Sequence, residues 1–249
     1  MREHPQALPP SERTVGQLVA ETIRLYGRRF LLCVLLGVPA AVLDLTAAGA
    51  ARTTAFWIAL TAGPVLLTLS YIGATLVALD ASREPRRLAL AFVAGVLVFV
   101  PFPLLASLFI IPGLAWLAFF GLTVPAILVE GRGFRDGLNR ATRLARADYV
   151  HALGSLAALA IVYFVSRFGL AVLLRGQGDQ TEAVAAFVAD MVISPLLFLG
   201  AALLYVDQAA RVVDSGAPTK KRPRRESRAD LHPVDDPHGA GRPDAQVEP

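Results

Sequence analysis

The sequence predicts an all-α polytopic membrane protein with six transmembrane helices and amphipathic helices on the cytoplasmic side. Three observations lead there. Long apolar runs, six in number, fill the chain from Phe30 to Val206, and each is close to or above the roughly 20 residues a helix needs to cross about 30 Å of hydrocarbon. Hydrophobic residues make up 55 % of the chain and charged ones only 18 %, against about 25 % in soluble domains. The basic residues alternate in density from one gap to the next, as the two faces of a membrane require.

The first 29 residues form a polar segment with one expected surface helix. Thr14 and Gln17 have the spacing of a capping box, in which hydroxyl and amide cover free backbone N–H groups. Val15, Leu18, Val19, Thr22 and Tyr26 then recur at helical spacing. The first apolar run begins only at Phe30 and is too long for the core of a secretory signal, so it is expected to stay in the protein. The single cysteine, Cys33, lies within that run; it cannot form an intramolecular disulfide and reads as a small core hydrophobe.

The expected spans are Phe30–Ala48, Ala55–Leu79, Leu88–Ile110, Gly113–Val129, Val150–Leu174 and Ala183–Val206, within a membrane domain of residues 30–213. The middle two come from one apolar stretch of 42 residues. As a single helix it would measure about 63 Å, twice the hydrocarbon thickness. A tight hairpin near Ile111-Pro112-Gly113 is expected, because Pro-Gly is a turn signal.

Orientation follows from charge. Of the 24 lysines and arginines, 21 fall before the first run, between the second and third, between the fourth and fifth, and after the sixth. Only Arg52 and Arg175 lie on the other side, with Arg167 inside the fifth run. The positive-inside rule puts both termini in the cytoplasm. The net charge of +4 therefore reads as orientation and contact with anionic lipid headgroups, not with nucleic acid.

A second surface helix is expected between spans four and five. Phe134, Leu138, Ala141 and Ala145 share one face, and Arg132, Arg135, Arg143 and Arg146 gather on the other. Such a basic amphipathic helix can lie along headgroups or serve as a linker covering the bundle. Residues 214–249 have almost no large apolar side chains and are expected to be a disordered tail. Its Lys220, Lys221, Arg222, Arg224 and Arg225 are candidate headgroup contacts or a topology anchor.

Spans two and six end alike, in Tyr71-Ile72-Gly73-Ala74-Thr75-Leu76-Val77-Ala78-Leu79-Asp80 and Phe198-Leu199-Gly200-Ala201-Ala202-Leu203-Leu204-Tyr205-Val206-Asp207. With Arg24-Leu25 echoing Arg143-Leu144, each unit reads as a surface helix followed by a two-span hairpin, a parallel internal repeat. Spans two, four and six also leave through acids, Asp80, Glu130 and Asp207. A carboxylate is disfavoured at a helix C-terminus. These three are expected to pair with arginines of the surface helices, with Arg83, Arg132 and Arg211 nearest in the chain; ordinary interfacial charge is the alternative.

Charges inside a membrane call for a functional explanation. Arg167 and Asp190 lie seven residues from the outer ends of spans five and six, at similar depth if the spans are antiparallel neighbours. They are read as an intramembrane ion pair, either a structural clasp or part of a proton or ion relay. Asp44 is expected near the outer surface, solvated. None of the four histidines has a second ligand at metal spacing, and no nucleophile elbow or phosphate loop occurs. No catalytic constellation, metal or cofactor is therefore expected.

The segments Leu108-Phe109-Ile110-Ile111-Pro112-Gly113 and Val124-Pro125-Ala126-Ile127-Leu128-Val129-Glu130-Gly131, the arginine-rich run Gly137–Leu144 and the closing Leu204-Tyr205-Val206-Asp207 resemble a bacterial family of polytopic membrane proteins. That family includes the membrane domain fused to some glycerophosphoryl diester phosphodiesterases. Here Ala141, Ala147 and Val206 stand where the family often has Ser, Gly and Tyr. The resemblance covers nearly the whole membrane region and implies its helical fold. It does not imply phosphodiester hydrolysis, which in those relatives belongs to a separate soluble domain. The expected function is a non-enzymatic inner-membrane protein, an envelope or lipid-associated accessory factor, with a small transporter or channel as the alternative.

Overall fold

The computed structural model describes residues 9–174 and 178–216. Over these residues the chain is all-α, with six helical spans long and apolar enough to cross a membrane; it is a multi-pass membrane protein. A 3-10 turn, Pro10–Glu12, leads into α1 (Val15–Arg28). The Thr14 hydroxyl accepts from the Gln17 N–H and the Gln17 amide oxygen from the Thr14 N–H, closing a capping box. Helix α1 packs on the last two helices through Leu18 and Thr22, both fully buried.

Helix α2 (Phe30–Ala48) and α3 (Arg52–Leu79) form the first hairpin. Span two thus starts three residues before the expected Ala55, since Arg52 and the two threonines after it continue the helix. The third span is α4 (Pro85–Phe99) with α5 (Pro101–Leu108). Pro101 and Pro103 have no N–H for the carbonyls of Leu97 and Phe99, which divides the helix at Val100. The Trp116 indole, from the next span, donates to the neighbouring Val98 carbonyl at 2.8 Å.

The hairpin between spans three and four falls near the expected place, two residues before Ile111-Pro112-Gly113. It turns on one extended residue, Phe109 (φ −157°, ψ 149°), and α6 runs Ile110–Phe120. Pro112 is the third residue of α6, where a helix has no partner for its N–H groups and proline is harmless. Gly113 packs against the Phe102 ring instead of turning. Span four continues in α7 (Thr123–Glu130), ended by Gly131 at φ +66°, a left-handed stop that favours glycine. The Arg87 guanidinium lies against that glycine.

Helix α8 (Phe134–Ala147) and α9 (Tyr149–Leu173) follow. The buried face of α8 is Gly137, Ala141, Leu144 and Ala145; Phe134, expected in the apolar stripe, is exposed because it stands at the helix start. The last helix, α10, runs Asp179–Gly216, 38 residues or about 57 Å. It extends ten residues beyond the expected end of span six and past position 214, where the tail was expected to begin. It packs on α2, α9 and α3.

Its closest approach is to α2. Pro195 leaves the Met191 carbonyl without its helical donor, and Gly37 faces that oxygen. A Cβ on Gly37 would sit 2.1 Å from it. Elsewhere glycines receive leucines: Gly73 of α3 takes Leu36 of α2, and Gly200 of α10 takes Leu159 of α9. Between α1–α2–α3 and α8–α9–α10 the echo extends to the surface helices but not to the spans, α2 and α9 having 19 and 25 residues and α3 and α10 28 and 38. Both α1 and α8 have 14 residues, and in both units one residue separates the surface helix from the span.

Candidate functional site

Three places in the bundle concentrate polar groups or open space. The first begins with α9, where Tyr163 and Arg167 stand four residues apart on one face. Arg167 Nη1 donates to Asp190 Oδ2 at 2.7 Å and to Oδ1 at 2.8 Å. The Tyr163 hydroxyl donates to Asp190 Oδ1 at 2.9 Å and accepts from Arg167 Nη1 at 3.2 Å. Arg167 Nη2 reaches Asp44 Oδ2 of α2 at 2.8 Å. So Arg167 and Asp190 are in contact, and Asp44, expected to be merely solvated, is a second carboxylate on the same guanidinium. The Asp190 side chain is 1 % exposed and that of Asp44 39 %, so one charge is buried and the other lies partly on the bundle surface. The four groups tie α2, α9 and α10 together near the end opposite the surface helices.

The second place is the end of the bundle carrying α1 and α8. Glu130, the last residue of α7, accepts from Arg132, from Arg140 Nε at 2.8 Å and from the Tyr205 hydroxyl. Asp148 accepts the His151 N–H at 3.0 Å, capping α9, and binds Arg211 of α10 at 2.8 Å. Asp207 binds Arg13 at 2.9 Å, and Arg211 also donates to the Arg13 carbonyl. Gln208 donates to the Asp148 carbonyl at 3.0 Å.

The three expected acids thus differ. Glu130 binds a surface-helix arginine, Arg140, besides its chain neighbour Arg132. Asp207 takes Arg13 and not Arg211, because α10 continues through it and Arg211 points to Asp148 at the start of α9. It is no helix terminus, so the dipole argument does not apply to it. Asp80 and Arg83 make no ion pair among the described residues; Asp80 instead ends α3 in the left-handed conformation (φ 46°), which a short polar side chain tolerates. Among the candidate headgroup contacts, Arg132 is turned onto Glu130, whereas Arg135, Arg143 and Arg146 are exposed on α8. Lys220, Lys221, Arg222, Arg224 and Arg225 lie outside the described residues.

Sequence reasoning did not single out Tyr163, Asp148, Gln208, Tyr205 or Arg13 as bonding partners. Two signals were available. Tyr163 lies one turn before Arg167, and Asp148 immediately precedes an apolar run, where a helix cap is expected.

The third place is a cavity of about 240 Å³ where the two halves of the core meet. Tyr71, Phe99 and Phe198 wall it on one side, and Leu122, Leu156 and Leu204 on the other. Its lining contains no charged side chain. Ile110 of α6 and Phe164 of α9 are at once lining residues and 39 % and 51 % exposed, so the lining reaches the bundle surface at these two helices. Comparison with protein-family models, curated proteins and solved structures gives no match for this chain.

Proposed function

We propose that this chain is a non-enzymatic, lipid-associated accessory protein of a bacterial inner membrane, with both termini in the cytoplasm. The apolar cavity whose lining reaches the bundle surface carries this reading. A cavity with uncharged walls suits a lipid chain, since apolar pockets with few polar groups are the usual form of ligand sites. The exposed Arg135, Arg143 and Arg146 on α8 would face anionic headgroups at the cytoplasmic surface. The likeness of the Pro112-Gly113 and Pro125–Gly131 segments to phosphodiesterase-linked membrane domains fits a role among lipids without hydrolysis.

One observation favours transport as a second reading: Arg167 also lines a smaller cavity, about 150 Å³, together with Glu182. Against it, the Arg167 guanidinium is already engaged by two carboxylates and a phenol.

Native mass spectrometry of the protein released from lipid nanodiscs tests both. Bound lipid should survive purification and be lost when Ala201→Phe fills the cavity in a protein that remains folded. No retained lipid, together with a solute flux in vesicles that Arg167→Gln abolishes, would replace this reading with the second.

A further inference from the structure

The two cavities are successive parts of one seam between α9 and α10. On α9 the larger cavity is lined within Leu156 to Phe164 and the smaller within Arg167 to Leu174. On α10 the larger takes residues between Ser194 and Leu204, and the smaller residues between Ala189 and Glu182. The helices are antiparallel, so both linings advance in step on either side of the Arg167–Asp190 contact. Together they follow α9 from Leu156 to Leu174, about 27 Å of helix, close to the roughly 30 Å of a hydrocarbon layer.

The Tyr163–Arg167–Asp190 clasp divides this seam. Tyr163 belongs to the larger lining and Arg167 to the smaller, and both are bonded to Asp190. Between Ala189 and Ser194, where Asp190 stands, α10 lines neither cavity. Asp44 joins from α2, one turn beyond Ala40 of the larger lining. The bonds therefore cross the seam at the level where both cavities stop. Helices in hydrocarbon gain little from apolar burial against each other, so at this level the polar bonds themselves hold α9 to α10. Such bonds are either made or broken, and breaking them joins the two spaces. Glu182, exposed near the start of α10, marks one end of the seam. Arg167 and Glu182 are the charged members of the two linings. A chain entering at that end leaves its polar end beside them and lays its apolar length against uncharged walls.

We propose that the clasp is a gate: closed, it separates the two cavities, and open, it joins them into one crevice that admits an acyl chain endways from the Glu182 end of the bundle. The acyl chain as occupant rests on the lipid-associated reading above; the gate does not.

The test exposes the full-length protein in nanodiscs to a small, permanently charged methanethiosulfonate, which hydrocarbon excludes, and reads modification by peptide mass spectrometry. Ala186→Cys reports on the smaller cavity and Ala160→Cys on the larger. The native Cys33, fully buried in the core, reports on general loosening. With the clasp intact, Ala186→Cys is expected to react readily and Ala160→Cys slowly. Adding Tyr163→Phe, which removes one bond across the seam and leaves the ion pairs, should speed reaction at Ala160→Cys about fivefold. Arg167→Ala should speed it further, with Cys33 unchanged in both. Equal rates at Ala160→Cys with and without the Tyr163 hydroxyl would overturn the gate. So would a parallel rise at Cys33, or an Ala186→Cys that does not react. If Arg167→Ala fails to fold, the Tyr163→Phe comparison still decides. Lipid retention is measured on the same samples: a gate that opens in a protein holding no lipid would overturn the acyl chain as its occupant, and retained lipid with no gating would leave only the lipid-associated reading.

Discussion

Arg167 holds three partners with one guanidinium, and the partners are unequal. Asp190 is buried and Asp44 is partly exposed. Removing the arginine strands a buried carboxylate, which in comparable pairs costs about 3–5 kcal/mol. Removing Asp44 breaks a bond to a partly exposed carboxylate, worth about 1 kcal/mol or less where water screens it. Arg167→Ala should therefore lower the thermal stability of the detergent-solubilised protein far more than Asp44→Ala, and Asp190→Asn, which can still accept from Tyr163, should fall between. Unfolding followed by size-exclusion chromatography would give the order; a larger loss for Asp44→Ala would mean that the clasp is not centred on Asp190. The pairing of Arg167 with Asp190 was legible in the sequence because two ionisable groups at matching depth must neutralise each other in hydrocarbon. The part of Asp44 was not, because nothing in the chain says that α2 lies against α9 and α10.

Helices in a membrane gain nothing from burying apolar surface against one another, so close packing and small residues decide which faces meet. Gly37 is where α2 meets α10, on a carbonyl that Pro195 frees. Gly37→Leu should separate the two helices, with a loss of at least the 1–3 kcal/mol typical of overpacking, while Gly49→Ala, with nothing within 4 Å of the added carbon, should be tolerated. Measuring melting temperatures of both variants checks this, and equal behaviour would show that the contact is not tight. At the other end, Glu130 joins α7 to α8 through Arg140 and to α10 through Tyr205. Glu130→Arg should impair assembly, and adding Arg140→Glu should restore part of it. A double variant no better folded than the single one would remove this pair from the supports of α8. Span positions were readable from apolar runs. The exact residue on which the hairpin between spans three and four turns, Phe109, was not, because proline is as acceptable in a first helical turn as in a loop, and the extension of α10 was not, because its last turns are held by partners far away in the chain, among them Asp148 on Arg211 and Arg13 on Asp207.

Across the whole molecule, the charged turns belong to one end and the two helical hairpins of the repeat-like units point the same way. With Cys33 replaced by Ser, single cysteines at Arg143 and at Gly178 should label from opposite sides of sealed cells, Gly178 alone being open to an impermeant reagent. Labelling of both from outside would contradict the cytoplasmic placement of α8. Solvent and charge asymmetry are global constraints, so composition and the spacing of arginines were enough to determine an all-α bundle with an even number of spans. Which helices touch, which acid meets which arginine and where a cavity remains were decided only in three dimensions. In hydrocarbon every helix face is equally apolar, so the pattern along one helix does not identify its neighbour; that choice falls to Gly37 against Met191, Arg167 among three partners, and the gap left between Tyr71 and Leu122.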